Sequence, residues 1–203
     1  MKLNLGCGNQ VVESWINVDY FLGARLVKIP GFTLFNKAFK LFDIEWDKRI
    51  KLHDLTEPLP WKDNEVDVVY SSHTLEHLNK EDGKNLITEA HRVLVHGGII
   101  RIIVPDLNSV LSRHKNGEIA DRDLLDILGT RISQPKGFKG IFKKLAQYPH
   151  QCMYSTKSLL NLLESVGFEA SSRTAYDSEI DDIKEIELED RTMDAVIIEG
   201  KKI

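Results

Sequence analysis

Cysteine is scarce in this chain: two in 203 residues, Cys7 and Cys152. Two thiols make neither a disulfide framework nor a metal knuckle, so a reducing, cytoplasmic setting is the expectation. No apolar stretch approaches the ~20 residues that span a bilayer. The chain opens directly on an apolar strand, MKLNL, without the pattern of a signal peptide. A basic excess is missing as well. The formal net charge of −4 argues against nucleic acid as the main partner, because phosphate binding draws on Lys and Arg. Internal repeats and low-complexity runs are also lacking. What remains is an ordinary globular composition, 42% hydrophobic and 29% charged. The length suits one domain, residues 1–203, able to bury its own core.

The apolar pattern alternates short runs with amphipathic segments. Lys2–Leu5, Trp15–Val18, Ile50–His53, Val66–Tyr70 (VDVVY) and Ile99–Val104 read as strands. Residues 31–42 (GFTLFNKAFKLF), 81–94 and 155–166 carry apolar residues at helical spacing. His96-Gly97-Gly98 suits a helix C-terminal turn after Leu94, and Gly167 closes the later helix. Phe168–Ser172 and Ala195–Glu199 read as two last strands. Between them, DSEIDDIKEIELED has eight acidic residues against one lysine and reads as a solvated acidic face with a short helix at Ile180, Ile183 and Ile186. Strands alternating with helices predict an α/β fold: a Rossmann-like, doubly wound, mostly parallel sheet with helices on both faces. In such a sheet ligands bind outside the carboxyl ends of the strands.

Gly6-Cys7-Gly8 follows the first strand, and Asp19 ends the second. Glycine lets a backbone approach a ligand closely, and a strand-end carboxylate accepts both hydroxyls of a ribose. A dinucleotide fingerprint needs a third glycine and an acid ~20 residues on. Here Gln10 stands near the third glycine's place, and the stretch to Asp19 is too short for a crossover helix, which takes about a dozen residues. NAD is therefore disfavoured, leaving an NAD-linked oxidoreductase as a distant alternative. Asp54, at the end of the third strand, reads equally as an adenine contact and as a loop cap. Past the fourth strand stand Ser71, Ser72, His73, Glu76 and His77, where substrate would meet cofactor.

LNLGCG, WINVD, HDL with PLPWKDNEVDVVYSSHTLEHL, and HRVLVHGGIIRIIVPDL together resemble the class I S-adenosylmethionine-dependent methyltransferases. The resemblance is nearest to the small bacterial and archaeal type associated with surface-polysaccharide or other sugar-linked pathways. HQCMYSTKSLLNLLESVGF, residues 150–168, is similar to that type's closing segment. It implies an antiparallel last strand and S-adenosyl-L-methionine as cofactor, with S-adenosyl-L-homocysteine as product. Gly6, Cys7 and Gly8 would border its methionine and ribose, Asp19 would hold the ribose hydroxyls, and Asp54 and Leu55 would flank adenine. Ser71, Ser72 and His73 would lie at the sulfonium. Asn4 replaces the acid usual in the first strand, which alters contacts near the cofactor's amino group.

The implied reaction is in-line methyl transfer to an oxygen or nitrogen of a small-molecule or glycan-type acceptor. Should that acceptor lose a proton, His73 is the first candidate base and His150 the second. A sensor or assembly subunit that binds the cofactor without turnover is the alternative from another class. His73-Thr74-Leu75-Glu76-His77 also spells the H-x-x-E-H of some zinc hydrolases. That motif needs a helix presenting both histidines and a third ligand, so no metal is expected here. Segments 20–48 and 107–149 are candidate lids or inserts. Lys136, Lys139, Lys143 and Lys144 read as a solvated helix face or as a lid for an anionic acceptor.

Overall fold

The computed structural model describes residues 1–39, 46–130 and 148–203. The four lysines 136–144 and the end of the 31–42 segment lie outside them. Among the described residues seven strands form one sheet: β1 (Lys2–Leu5), β2 (Ile16–Asp19), β3 (Lys51–Leu52), β4 (Val66–Ser72), β5 (Leu94–Pro105), β6 (Phe168–Ser172) and β7 (Ala195–Lys202). Their spatial order is β3-β2-β1-β4-β5-β7-β6. The pairings from β3 through β5 are parallel. The last strand in the chain inserts between β5 and β6 and runs antiparallel to both. The order reverses at β1 and β4, so their carboxyl ends open the crevice that such sheets use for ligands.

Each side of the sheet buries alternate residues of the central strands. On one face Leu3, Leu5, Val69, Ile100, Ile102 and Ile198 meet two helices, α3 (Lys80–Val93) and α6 (Thr156–Val166), through residues such as Leu86, Ile87, Leu159 and Leu163. Asn79 caps α3 by accepting from the Glu81 and Asp82 amides. Ser155 and Ser158 form a capping box at the start of α6, and Gly167, at φ +110°, ends it in the left-handed region. The opposite face holds Trp15, Val68, Tyr70, Ile103 and Ile197. Its cover is the short helix α7 (Ile183–Ile186) with Ile180, plus the loop before β2.

The shorter described helices are α1 (Leu22–Leu26), α2 (Phe32–Phe39), α4 (Leu107–Lys115), α5 (Leu124–Ile127) and α8 (Glu189–Thr192).

Two expectations are corrected here. The helix after Lys80 stops at Val93, and β5 begins at Leu94. Gly97 and Gly98 therefore lie within a strand, where the pairing with β4 slips from Val66↔Leu94 to Val68↔Ile99. Glycine answers a bulge there, not a helix end: Gly97 sits at φ +79°, and a Cβ on Gly98 would come within 2.9 Å of the Val95 carbonyl.

The acidic connection is likewise more than a solvated face. Ile180, Ile183 and Ile186 are core, and Glu187 is 2% exposed. It meets Arg101 of β5, which is fully buried. The guanidinium donates from Nε and Nη2 to the two oxygens of Glu187, at 2.7 and 3.0 Å. Its remaining protons go to Glu199 and to the carbonyls of Asp177 and Thr174. All five donors are used, which is what lets a charge sit in this interior.

Candidate functional site

The turn after β1 folds back over the end of β2. The amides of Gly6 and Cys7 both donate to the Val18 carbonyl, at 2.9 and 3.1 Å. Gly6 and Gly8 adopt φ of +72° and +57°, the region that favours glycine. They differ in surroundings. A Cβ on Gly6 would fall 2.1 Å from Oγ1 of Thr74, whereas a Cβ on Gly8 would meet no described atom within 4 Å. Gly6 is thus a packing glycine, and Gly8 faces open space. Thr74 was not singled out from sequence. Its hydroxyl lies 3.2 Å from the Ser72 carbonyl and 3.3 Å from that of Gly6, and so ties the ends of β4 and β1.

Asp19 stands beside Gly8. Its Oδ2 accepts from the Gly8 amide at 2.8 Å and its Oδ1 from the Phe21 amide at 2.6 Å. Burial lifts its carboxyl pKa, and the amides of Phe21, Gly8 and Tyr20 work against that rise. Each oxygen keeps acceptor capacity beyond its one amide. Cys7 is buried next to Ala24 and Ile50. Burial foremost, then the Asp19 charge, push its thiol pKa far up, so Cys7 is a packing thiol and not a nucleophile.

Asn4 does not face an open pocket. Its Nδ2 donates to Asn17 Oδ1 at 3.1 Å and to the Gln10 carbonyl at 3.3 Å. Asn17 in turn holds Val12 through both its amide and its carbonyl, and the Trp15 carbonyl as well. This pair of buried amides organises the loop where a crossover helix would otherwise stand. Asn17 was missed; an amide inside an apolar strand was the available signal. Asp54 caps its own turn, with Oδ1 accepting from the amide and hydroxyl of Thr56. Leu55 belongs to the core.

At the end of β4, Ser71 is buried and its Oγ has no partner among the described residues. Ser72 pairs with Ile103 of β5. His73 follows at φ +51°, with its ring half-buried. Its Nε2 lies 2.9 Å from the Arg191 carbonyl and its Nδ1 3.4 Å from Oε1 of Glu76. Burial opposes charge on this ring, but the Glu76 carboxylate and the Arg191 carbonyl outweigh it and hold the pKa above the usual histidine value.

His73 is therefore turned toward Glu76 and α8. Residues Leu75–His77 form one 3-10 turn. Glu76, His77 and His150 then converge, with one potential ligand atom from each lying within 4.8 Å of the others. His150 thus stands with Glu76 and His77, and its ring centroid is 4.9 Å from that of His77.

Described residues of the two segments flagged as lids meet beside Asp19. Phe21, whose amide Asp19 holds, stacks on Trp46 with centroids 5.2 Å apart and meets Tyr148 at 5.5 Å. A separate cavity of about 690 Å³ opens between the starts of α3 and α6, lined in part by Lys80, Lys84, Cys152 and Tyr154. No residue of the glycine turn lines it. Among the described residues no helix is long and apolar enough to cross a membrane.

Residues 3–102 match the family model described as a methyltransferase domain. No curated protein matches the chain. Solved structures similar to it include a SAM-dependent methyltransferase of Methanosarcina mazei, at 14% identity and a TM-score of 0.56, covering 100% of this chain and 92% of that one. The PH0226 protein of Pyrococcus horikoshii OT3 is similar at 14% identity and a TM-score of 0.56, covering 100% and 81%. PigF, solved with SAH, is similar at 12% identity and a TM-score of 0.51, covering 100% of this chain and 50% of PigF. At such identities the likeness speaks for the fold.

Proposed function

We propose that this chain is a class I S-adenosylmethionine-dependent methyltransferase that moves the methyl by in-line displacement to an oxygen or nitrogen of a small-molecule or sugar-containing acceptor, a reading supported by the methyltransferase-domain match of residues 3–102 and by the fold. The observation that carries the assignment of its site is the Gly8–Asp19 pair: a buried strand-end carboxylate hydrogen-bonded to a glycine whose missing side chain leaves space open. Asp19 would take the ribose hydroxyls with the acceptor capacity its two amides leave. The backbone of Gly6, Cys7 and Gly8 would run along the ribose and methionine. Leu55 and Asp54 would border adenine, with Oδ1 of Asp54 still capping its turn. Ser71, whose buried hydroxyl has no partner among the described residues, Ser72 and His73 would line the sulfonium end. The bound cofactor supplies an electrophilic methyl group. The protein's share is alignment of acceptor, methyl and sulfur, which by itself accounts for much of the rate in such displacements.

His73 is the candidate to receive a proton where the acceptor loses one, a role that requires its Nε2 to leave the Arg191 carbonyl while Glu76 stabilises the charged ring. We read residues 1–203 as one catalytic unit. The contacts of Phe21 with Trp46 and Tyr148 beside Asp19 support a lid or insert role for segments 20–48 and 107–149. Free Cys7 and Cys152 accord with a cytoplasmic setting.

Calorimetric titration with S-adenosyl-L-homocysteine, with NAD alongside, tests the reading. Micromolar binding of the first compound, reduced at least about tenfold in Asp19→Ala as expected for lost hydrogen bonds to a charged group, supports it. Preference for NAD, or equal binding by the variant, overturns the site.

A further inference from the structure

Glu76 is 1% exposed; neither carboxylate oxygen meets a hydrogen-bond partner among the described residues, and the cation beside it is the His73 ring, with Nδ1 3.4 Å from Oε1. A buried carboxylate in that condition is costly unless a positive charge compensates it. Beside it, Nδ1 of His77 is also buried, with no partner among the described residues. His150 completes the group, and one donor atom from each residue lies within 4.8 Å of the others. We propose that Glu76, His77 and His150 bind one divalent metal ion of borderline softness, of the zinc type.

Three features support this beyond proximity. Nδ1 of His150 lies 2.8 Å from the Leu128 carbonyl. That hydrogen bond places the proton on Nδ1 and leaves Nε2 to coordinate, as the outer hydrogen bond of a metal-ligating histidine does. The loop bearing His150 is already clamped to the Glu76 turn. The Gln151 and Cys152 amides donate to the Glu76 carbonyl, at 2.7 and 3.1 Å, and the Gln151 side chain donates to that of His77 at 2.7 Å. A donor set of two imidazoles and one carboxylate suits zinc and its neighbours rather than magnesium or calcium, which favour oxygen. It also leaves a coordination position for water or for an acceptor oxygen.

The ligand set differs from the H-x-x-E-H pattern in the sequence. His73 lies outside it, turned to Glu76 and the Arg191 carbonyl. The second histidine comes from beyond α5. The rival account is that a charged His73 alone balances Glu76, in which case no ion binds.

The test uses the full chain after treatment with a chelator. Cobalt(II) is titrated in while visible d–d bands are followed, and zinc is then added as competitor. We expect one cobalt per chain, displaced by zinc, and binding at least about tenfold weaker in His150→Ala and in Glu76→Gln. Zinc should also raise the melting temperature of the wild type and not that of His150→Ala. The latter serves as the folded reference if Glu76→Gln does not fold. Absence of cobalt bands, or equal binding by wild type and His150→Ala, overturns the site. Neither result bears on the S-adenosyl-L-homocysteine titration, so the two readings fail separately.

Discussion

The amide of Gly8 donates to Oδ2 of Asp19 at 2.8 Å, closing the turn after β1 onto the end of β2. This single contact joins the two features that nucleotide-binding sheets require, a close backbone and a strand-end acid. It also separates the roles of the turn's two glycines.

Gly6→Ala and Gly8→Ala should therefore behave differently. The first places a methyl on Thr74 and disturbs the tie between β1 and β4, so it lowers stability by more than its backbone strain. The second meets open space and incurs only the left-handed backbone cost, about 1–2 kcal/mol. Its methyl would occupy ligand space, so S-adenosyl-L-homocysteine affinity should fall at least about tenfold, a factor worth about 1.4 kcal/mol. Melting temperatures and calorimetry on both variants separate the two effects.

Asn4→Asp, which restores the acid usual at this place, should destabilise the protein. The amide now donates to Asn17 and to the Gln10 carbonyl, and a carboxylate would face both acceptors with nothing to donate. A loss of about 1–3 kcal/mol is expected for such buried mismatches. Urea midpoints measure it; an unchanged midpoint would show that the amide pair does not hold the loop.

Among the described residues, Arg101→Met leaves Glu187 buried without its counter-charge and Glu199 with only Arg173, at 3.8 Å. Loss of one partner from a buried ionic group costs about 3–5 kcal/mol. Arg101→Lys keeps the charge but cannot reproduce the five-donor fork, and should fall between wild type and Met in chemical denaturation.

Acid sensitivity follows from Glu89. The Arg92 guanidinium holds its carboxyl below the ordinary value of 4.5, with burial opposing and the Leu59 amide assisting. A depressed acid contributes stability above its unfolded pKa and loses it as pH falls through the folded one. Denaturation midpoints should drop more steeply below pH 4.5 in wild type than in Glu89→Gln. Parallel pH profiles would remove Glu89 from the account.

Much of the sheet was legible because its signals are local. VDVVY is apolar at every position but one and sits at the centre of the sheet. Gly167 follows an amphipathic run and ends α6 in the left-handed region. Gly97 and Gly98 show the limit of such reading. A glycine pair serves a helix end and a strand bulge equally, and only pairing with β4 selects the bulge. Glu187 looked solvated among seven other acidic residues because its partner, Arg101, lies far away in the chain. His150 could be read from sequence as a second candidate base in the connection before the last large helix, but not as standing against Glu76 and His77.

The sequence by itself determined the order of strands and helices, the glycine turn with its strand-end acid, and through them the cofactor class. Periodicity and turn chemistry act over a few residues, so they survive in a linear string. The tertiary structure alone decided which polar groups share the interior: Asn4 with Asn17, Arg101 with Glu187 and Glu199, and Glu76 with its three histidines. A buried polar group must find its partner wherever the packed chain brings one, and sequence separation does not constrain that choice.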